Sequence, residues 1–155
     1  MQNLKNQLDY SFNMAGYYHF LEHTADVLFV AAAPTLEELF VQCALATEDA
    51  QVDLSKVGEK EKLSFTVEGK DEESLLFNFL DDLVFYKDSD LLVFSKFDIE
   101  IEKTGDGLKL TCVALGEKLD NKKHEPKVDV KAVTMHLFEV KKTDQGWEAK
   151  VLLDI

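Results

Sequence analysis

The sequence is poor in cysteine and contains no long apolar run. Its 155 residues include two cysteines, Cys43 in an apolar helical pattern and Cys112 in an alternating strand pattern. This pair provides no disulfide framework, and we predict two buried thiols in a reducing compartment. No apolar run approaches the roughly 20 residues that span a bilayer, and the first residues lack a secretory signal. These absences predict a cytoplasmic protein that does not insert into membranes.

The motifs that mark common enzyme active sites are also missing. The sequence has no phosphate loop GxxxxGK[ST], no GxGxxG and no GxSxG, and no cysteine–histidine cluster has zinc spacing. A nucleophilic Cys43 would need an exposed, electropositive setting, whereas its place on the apolar face of a helix predicts burial. These absences argue against an ordinary nucleotide-binding enzyme or hydrolase.

Positive charge is scarce. The chain has 17 lysine and arginine residues against 30 aspartate and glutamate residues, so its net charge is −13. A surface of this sign is repelled by a phosphate backbone and gains no free energy from counterion release. We therefore expect no direct binding of RNA or DNA. Either the charge serves solubility alone, or it suits the protein to bind cations or to dock on a basic partner.

The hydrophobic periodicity predicts a single α+β domain over residues 14–155. Residues 1–13 are polar, show no clear period and are predicted to be a flexible leader or a start-site extension. We expect two helices to pack on a mainly antiparallel sheet, forming a sandwich. The predicted strands cover residues 17–22, 27–33, 63–69, 97–103, 108–115, 128–141 and 147–153, and the helices begin near Thr35 and Asp71.

Carboxylates occur at two positions that a fold could bring together. Asp26 ends the segment EHTAD at the start of an early strand, and Asp154 precedes Ile155, the last residue of the sequence. With the terminal carboxylate of Ile155, they would offer three hard oxygen donors of the kind that Ca²⁺, Mg²⁺ or Mn²⁺ prefers. A divalent metal site is therefore one hypothesis. The alternative is that Asp26 caps a turn and Asp154 is a solvated end residue.

Histidines and one lysine are further candidates. His23, His124 and His136 are weighed as ligands, although a lone histidine is more often a hydrogen-bonding residue, and His19 in the first strand pattern is predicted to be structural. Lys131 interrupts an otherwise apolar and β-branched strand pattern. Its side chain points outward into solvent, offsets a neighbouring carboxylate, or offers a fixed cation to a phosphate or carboxylate of a partner.

Several segments together resemble the archease family. They cover nearly everything after Met14 in the family's order, and the combination of HTAD, VKAVT and a terminal LLDI is specific. Lys123 stands where the family often has arginine, and residues 1–13 have no counterpart. The similar segments are HFLEHTADV at 19–27, TLEELF at 35–40, LLFNFLD at 75–81, VFSKF at 93–97, HE at 124–125, VKAVTMH at 130–136 and LLDI at 152–155.

The resemblance implies a small acidic cofactor of an RtcB-type RNA ligase in tRNA splicing or RNA repair, and not an enzyme. Such a cofactor promotes GTP-dependent guanylylation of the ligase and allows multiple turnovers. The resemblance further implies that Asp26 and Asp154 bind a divalent metal, with Ile155 completing the site and Ca²⁺ favoured over Mg²⁺ or Mn²⁺. It implies a functional role for Lys131, and His23 also fits a family motif.

Two other functions compete with this interpretation. The first is a metal-binding chaperone or interaction module for other nucleic-acid-modifying enzymes, which would use the same acidic residues only for docking. The second is a metal-dependent phosphohydrolase that uses His23 with Asp26, and the lack of a phosphate-binding loop disfavours it. Co-purification distinguishes the first, and a GTP turnover assay on the isolated protein distinguishes the second.

Overall fold

The computed structural model describes residues 16–155, which form seven strands and two long helices. The predicted leader at residues 1–13 lies outside this range. The strands are β1 (Tyr17–Leu21), β2 (Asp26–Ala33), β3 (Glu61–Gly69), β4 (Leu92–Thr104), β5 (Gly107–Lys118), β6 (Ala132–Thr143) and β7 (Gly146–Asp154), and the helices are α1 (Leu36–Gln51), α2 (Glu72–Asp90) and the single turn α3 (Asn121–His124).

Both long helices begin where the sequence predicts, and each begins with a side-chain cap, of which the sequence analysis predicted the one at Thr35. The Thr35 hydroxyl accepts a hydrogen bond from the Glu38 amide at 3.2 Å, and the Asp71 carboxylate accepts one from the Ser74 amide at 2.8 Å. Each bond satisfies an N–H group that has no partner inside the helix. At its other end α2 stops at Leu91, whose φ of 56° is left-handed and directs the chain into β4.

The seven strands divide into two antiparallel sheets. The four-stranded sheet has the order β1-β2-β7-β6, and the three-stranded sheet has the order β3-β5-β4. Helix α1 contacts β2 and β4, and α2 contacts β3 and β6, so each helix packs against both sheets. The α+β prediction is confirmed, with two sheets in place of one. Alternation along a strand indicates which face is buried, but it does not identify the neighbouring strand.

The core between these layers is aromatic and aliphatic. The Phe40 and Phe79 rings stack with their centroids 6.0 Å apart and join the two long helices. Phe29 from the four-stranded sheet and Phe94 from the other sheet are also fully buried. No helix within residues 16–155 is long and apolar enough to cross a membrane.

Strand β4 begins earlier than the sequence predicts. Its first residues Leu92, Val93 and Phe94 are all buried, so they show a continuous apolar run instead of alternation. Periodicity alone does not distinguish such a run from a buried helix segment, and the predicted strand therefore begins only at Phe97. Register with β5 also shifts between Phe94 and Lys96, where a bulge interrupts the pattern.

Strand β6 differs from the predicted strand at residues 128–141 in two ways. It begins at Ala132, which pairs with Asp154, the last residue of β7, and in the preceding segment the carbonyl of Val130 accepts a hydrogen bond from the Lys87 ammonium of α2 at 2.9 Å. Pairing with β7 is then interrupted between Thr134 and Glu139 by a large bulge. The alternation of apolar residues gave no sign of this interruption, because a bulge depends on the partner strand.

Candidate functional site

Strand register places Asp26 and Asp154 directly opposite each other. Asp26 is the first residue of β2, Asp154 is the last residue of β7, and the two are partners in the antiparallel pair. Opposed side chains lie on the same face of a sheet with Cβ atoms about 5 Å apart. Two of the three residues of the metal hypothesis are therefore adjacent. We call Asp26, Asp154 and Ile155 together the acidic end.

Backbone pairing holds the acidic end in place. Strand β7 is an inner strand, so Asp154 pairs with Asp26 on one side and with Ala132 of β6 on the other. The carbonyl of Asp154 also accepts a hydrogen bond from the Lys131 amide at 2.8 Å. The Ile155 side chain packs against the core. These contacts tie Asp154 and Ile155 to the sheet and to the core.

The turn between β1 and β2 leads directly into Asp26, the first residue of β2. Pairing of these strands ends at Leu21 and Leu28, and residues 22–25 form the connection. Ala25 has a φ of 68° in the left-handed region, which costs a residue with a Cβ about 1 kcal/mol or more. Strained residues of this kind concentrate at functional sites. The strain at Ala25 directly precedes the carboxylate of interest.

The two opposed carboxylates have little compensating positive charge. Within residues 16–155 the only ion pair of Asp26 is with His23, whose Nδ1 lies 4.0 Å from the Asp26 Oδ2, and Asp154 forms none. Like charges at directly opposed sheet positions destabilise each other. A cation bound between the side chains of Asp26 and Asp154 would remove that repulsion.

The oxygen atoms available at the acidic end suit a hard cation, which can be coordinated by a mixture of side-chain, backbone and water oxygens. No three His, Cys, Asp or Glu side chains among the described residues come together in a way that could hold a metal ion. Asp26 and Asp154 would supply two side chains, and a carboxylate on Ile155, backbone oxygens or water would complete the coordination. Ca²⁺ and Mg²⁺ sites use such mixed oxygen ligands. The residues therefore fit Ca²⁺, Mg²⁺ or Mn²⁺ and do not fit a zinc centre.

Lys131 adjoins the acidic end without neutralising it. The residue is exposed and immediately precedes β6, and its amide is bound to the Asp154 carbonyl. Its ammonium forms no ion pair in the part of the chain that the structure describes. Of the three interpretations of Lys131, the offset of a neighbouring carboxylate thus has no direct ion pair to support it within residues 16–155. An outward-pointing lysine or a cation offered to a partner is consistent with this geometry.

The remaining histidines occupy separate environments. His19 is a half-buried strand residue whose ring stacks on Tyr17 at 6.4 Å, in agreement with the predicted structural role. Burial lowers the pKa of His19 below its ordinary value. His136 is exposed in the β6 bulge, where its carbonyl accepts a bond from the Thr134 hydroxyl at 3.4 Å. His136 forms no ion pair with the acidic end within residues 16–155.

His124 belongs to a buried polar network. Its Nδ1 accepts the amide of Asp120 at 2.9 Å, so Nε2 carries the proton and donates it to Glu117 Oε1 at 2.7 Å. Glu117 Oε1 also receives the Gly58 amide at 2.9 Å and the Lys123 ammonium at 2.7 Å. These donors, the Gly58 amide first, lower the pKa of Glu117 to about 2. His124 is thus a structural residue that ties two loops together.

Glu48 is a buried acid that sequence reasoning missed. It lies on the inner face of α1 and is fully buried, and its Oε2 has no hydrogen-bond partner among the described residues. Burial raises the pKa of Glu48 to about 8. The signal in the sequence is its position, because a residue four after Ala44 falls on the apolar face of the helix.

Both cysteines are fully buried, as the sequence predicts. Burial raises the pKa of each thiol, so neither forms a thiolate near neutral pH. Cys43 and Cys112 therefore act as small core residues and not as nucleophiles.

Comparisons with known proteins agree over the length of the described domain. The sequence profile of the Archease protein family (MTH1598/TM1083) matches residues 18–155. Protein archease of Pyrococcus abyssi is 47% identical over 135 residues, which cover 86% of this chain and 95% of that protein. Protein archease of Methanothermobacter thermautotrophicus is 38% identical over 138 residues, which cover 89% of this chain and 98% of that protein.

A solved structure gives the same result for the fold. The solution structure of Protein 1598 of Methanobacterium thermoautotrophicum has a TM-score of 0.80 and 38% sequence identity, and the match covers 89% of this chain and 98% of that one. Profile, sequence and structure thus agree over nearly the whole described domain. This chain belongs to the archease protein family.

Proposed function

We propose that this protein is a non-enzymatic activator of an RtcB-type RNA ligase in tRNA splicing or RNA repair. Its membership of the archease family supports the class of partner. The observation on which the proposal rests is the register that sets Asp26 opposite Asp154 on neighbouring strands. In this role the protein promotes guanylylation of the ligase and multiple turnover, and it acts in the cytoplasm.

The acidic end is the proposed site of action, where a divalent cation would be bound. Asp26 and Asp154, with a carboxylate on Ile155, would hold one divalent cation, with Ca²⁺ favoured and Mg²⁺ or Mn²⁺ as alternatives. A cation held there would supply positive charge for the placement of phosphate groups. The contribution of the chain is preorganisation, because β7 is paired on both sides and its last carboxylate keeps one position.

Lys131 and His23 are proposed to assist at the same place. The exposed Lys131 ammonium, which has no ion pair within residues 16–155, would contact a phosphate or carboxylate of the ligase complex. His23, with its Nδ1 4.0 Å from Asp26, would orient that carboxylate or contact the partner.

The charge of the chain favours a basic protein partner over nucleic acid. A net charge of −13 repels RNA but steers the protein toward a cleft lined with cationic groups. Complementary charge of this kind raises the association rate and selects the partner. The proposed ligase, which must bind RNA and GTP, offers such a cleft.

The test is RNA joining by an RtcB-type ligase from the same organism, with RNA in excess and with GTP and Mn²⁺. Catalytic amounts of this protein are expected to convert a single turnover into many. Asp26→Asn and Asp154→Asn are expected to abolish this effect, and both are isosteric changes at the sheet end. Asp106→Asn, in the exposed turn between β4 and β5, is the matched control that keeps full activity.

Three outcomes distinguish the candidate functions. Full activation by both acidic-end variants would remove the acidic end from the mechanism. Binding to the ligase without any effect on turnover would favour a docking module for nucleic-acid-modifying enzymes. Release of phosphate from GTP by the isolated protein would favour the phosphohydrolase.

A further inference from the structure

Exposed apolar side chains flank the acidic end. Phe20 and Leu21 at the end of β1 are 41% and 39% exposed, and Met135 and Leu137 in the β6 bulge are 64% and 42% exposed. Strands β1 and β6 are the two edges of the four-stranded sheet. Within residues 16–155, the other large exposed hydrophobic residues are Phe85 and Leu91. A single exposed hydrophobic residue is ordinary, but a group around one feature indicates an interaction surface.

Strand register places Leu21 and the β6 bulge near the acidic end, whereas Phe20 lies on the opposite face of the sheet, where its ring meets Phe29. Leu21 pairs with Leu28, Leu28 pairs with Leu152, and Leu152 pairs with Thr134. This row crosses all four strands and lies two residues from the acidic pair on β2 and β7, hence on the same face. Four strands span about 14 Å, so one protein partner can cover the whole row. The β6 bulge begins immediately after Thr134.

The backbone conformation of the β6 bulge is energetically unfavourable. Leu137 has a left-handed φ of 61°, an unfavourable conformation for leucine, yet its side chain remains 42% exposed. Only Phe138 returns to the core, where its ring meets Phe77 edge to face at 5.6 Å. A strained residue that buries little apolar area contributes little to stability. Bulges concentrate at sheet edges and next to functional sites, and this one has both locations.

Protection of an edge strand is the alternative explanation. A bulge does prevent β6 from pairing with another chain. Edge protection ordinarily uses lysine, proline or inward-pointing charge at such positions, because exposed apolar residues promote association. Met135 and Leu137 are therefore poorly suited to that role and well suited to contact with a partner.

We propose that Leu21, Met135 and Leu137 form an apolar docking rim that seats the acidic end in the basic, nucleotide-binding cleft of the RNA ligase. This inference rests on the proposed function and specifies how the partner is held. Charge complementarity identifies the occupant, since carboxylates without lysine partners favour a cationic cleft. Rim charges mainly set the association rate, whereas desolvated apolar anchors slow dissociation.

The first experiment measures the affinity of the intact protein for the intact ligase, together with activation as a function of its concentration. The double variant Met135→Ser with Leu137→Ser is expected to weaken binding about tenfold or more, through faster dissociation. The concentration for half-maximal activation should rise by the same factor, while maximal turnover is retained at saturation. Phe85→Ser removes a side chain that is 59% exposed on α2 and is expected to change nothing.

A second variant separates docking from folding. Leu137→Gly removes the side chain and also relieves the left-handed strain, because glycine adopts positive φ without penalty. Its unfolding temperature is expected to stay the same or rise, while its affinity for the ligase falls. A structural role for Leu137 would not produce this combination.

The outcomes separate the two proposals. If the wild-type protein activates the ligase and both rim variants bind equally well, the docking rim is wrong and the activator function stands. If the wild-type protein neither binds nor activates the ligase, both proposals are wrong. If Phe85→Ser weakens binding as much as the double variant, the docking rim is also wrong, because general surface hydrophobicity then explains the affinity.

Discussion

Asp26 and Asp154 lie directly opposite each other at the ends of adjacent antiparallel strands, one near the beginning and the other near the end of the described chain. Two carboxylates in this arrangement repel each other unless a cation lies between them. The relationship therefore links the stability of this sheet end to metal binding, which can be measured without any partner protein.

Asp154→Asn is expected to be slightly more stable than wild type when chelator is present, by about 0.2–1 kcal/mol, because it removes the repulsion from Asp26. Addition of Ca²⁺ should raise the unfolding temperature of the wild-type protein and leave that of the variant nearly unchanged. Thermal unfolding with and without Ca²⁺, Mg²⁺ or Mn²⁺ measures both effects. An equal response of both proteins to every ion would argue against a metal site here.

Lys131→Met is expected to reduce ligase activation by about tenfold or more while stability changes by less than about 0.5 kcal/mol. The reason is that the exposed ammonium forms no ion pair within residues 16–155, so the fold does not depend on its charge. The Ca²⁺-induced shift in unfolding temperature should persist. Lys103→Met, exposed near the end of β4, is the matched control. Equal activation by the two variants would leave Lys131 without a functional role.

Glu48→Gln is expected to stabilise the protein at pH 8 by roughly a few kcal/mol. Burial raises the pKa of Glu48 from 4.5 to about 8, so between these values the folded state binds a proton that the unfolded state lacks. On this account stability falls as the pH rises from about 5 to 8. The free energy of unfolding, measured with urea, should fall less over this pH window for the variant than for the wild-type protein. Parallel curves for the two proteins would disprove the assignment.

Glu117→Gln is expected to destabilise the protein near neutral pH by about 2 kcal/mol, since charge-assisted bonds from Gly58, Lys123 and His124 are weakened. Its pKa is lowered to about 2, so the wild-type carboxylate adds stability at neutral pH that is lost as the pH falls from about 5 toward 2. When the free energy of unfolding is plotted against pH, the decrease on the acid side, the acid limb, should therefore be less steep for the variant. An acid limb as steep as that of wild type would contradict the network.

Local features of the chain were predictable because they depend on near neighbours in sequence. The caps at Thr35 and Asp71 follow from side chains three residues from their partners. The hairpin turn at Gly105 follows from a left-handed φ of 57° that glycine tolerates. Buried cysteines follow from the apolar periodicity of their elements. These features needed no knowledge of distant contacts.

Other features required the tertiary structure. His124 was weighed as a ligand, yet its role is defined by Glu117 and by the loop at Gly58, which no local pattern connects to it. The partnerless oxygen of Glu48 depends on what surrounds α1. The β6 bulge depends on the register with β7. In each case the deciding contact comes from a distant part of the chain.

The sequence by itself determined the residue types at the acidic end, the secondary structure on either side and the resemblance to one family. Only the tertiary structure decided that β7 inserts between β2 and β6, so that Asp26 faces Asp154 and Lys131 binds the Asp154 backbone. Hydrophobic periodicity is a local property that selects the face of a strand, whereas strand pairing is a long-range choice made by the packing of the whole domain.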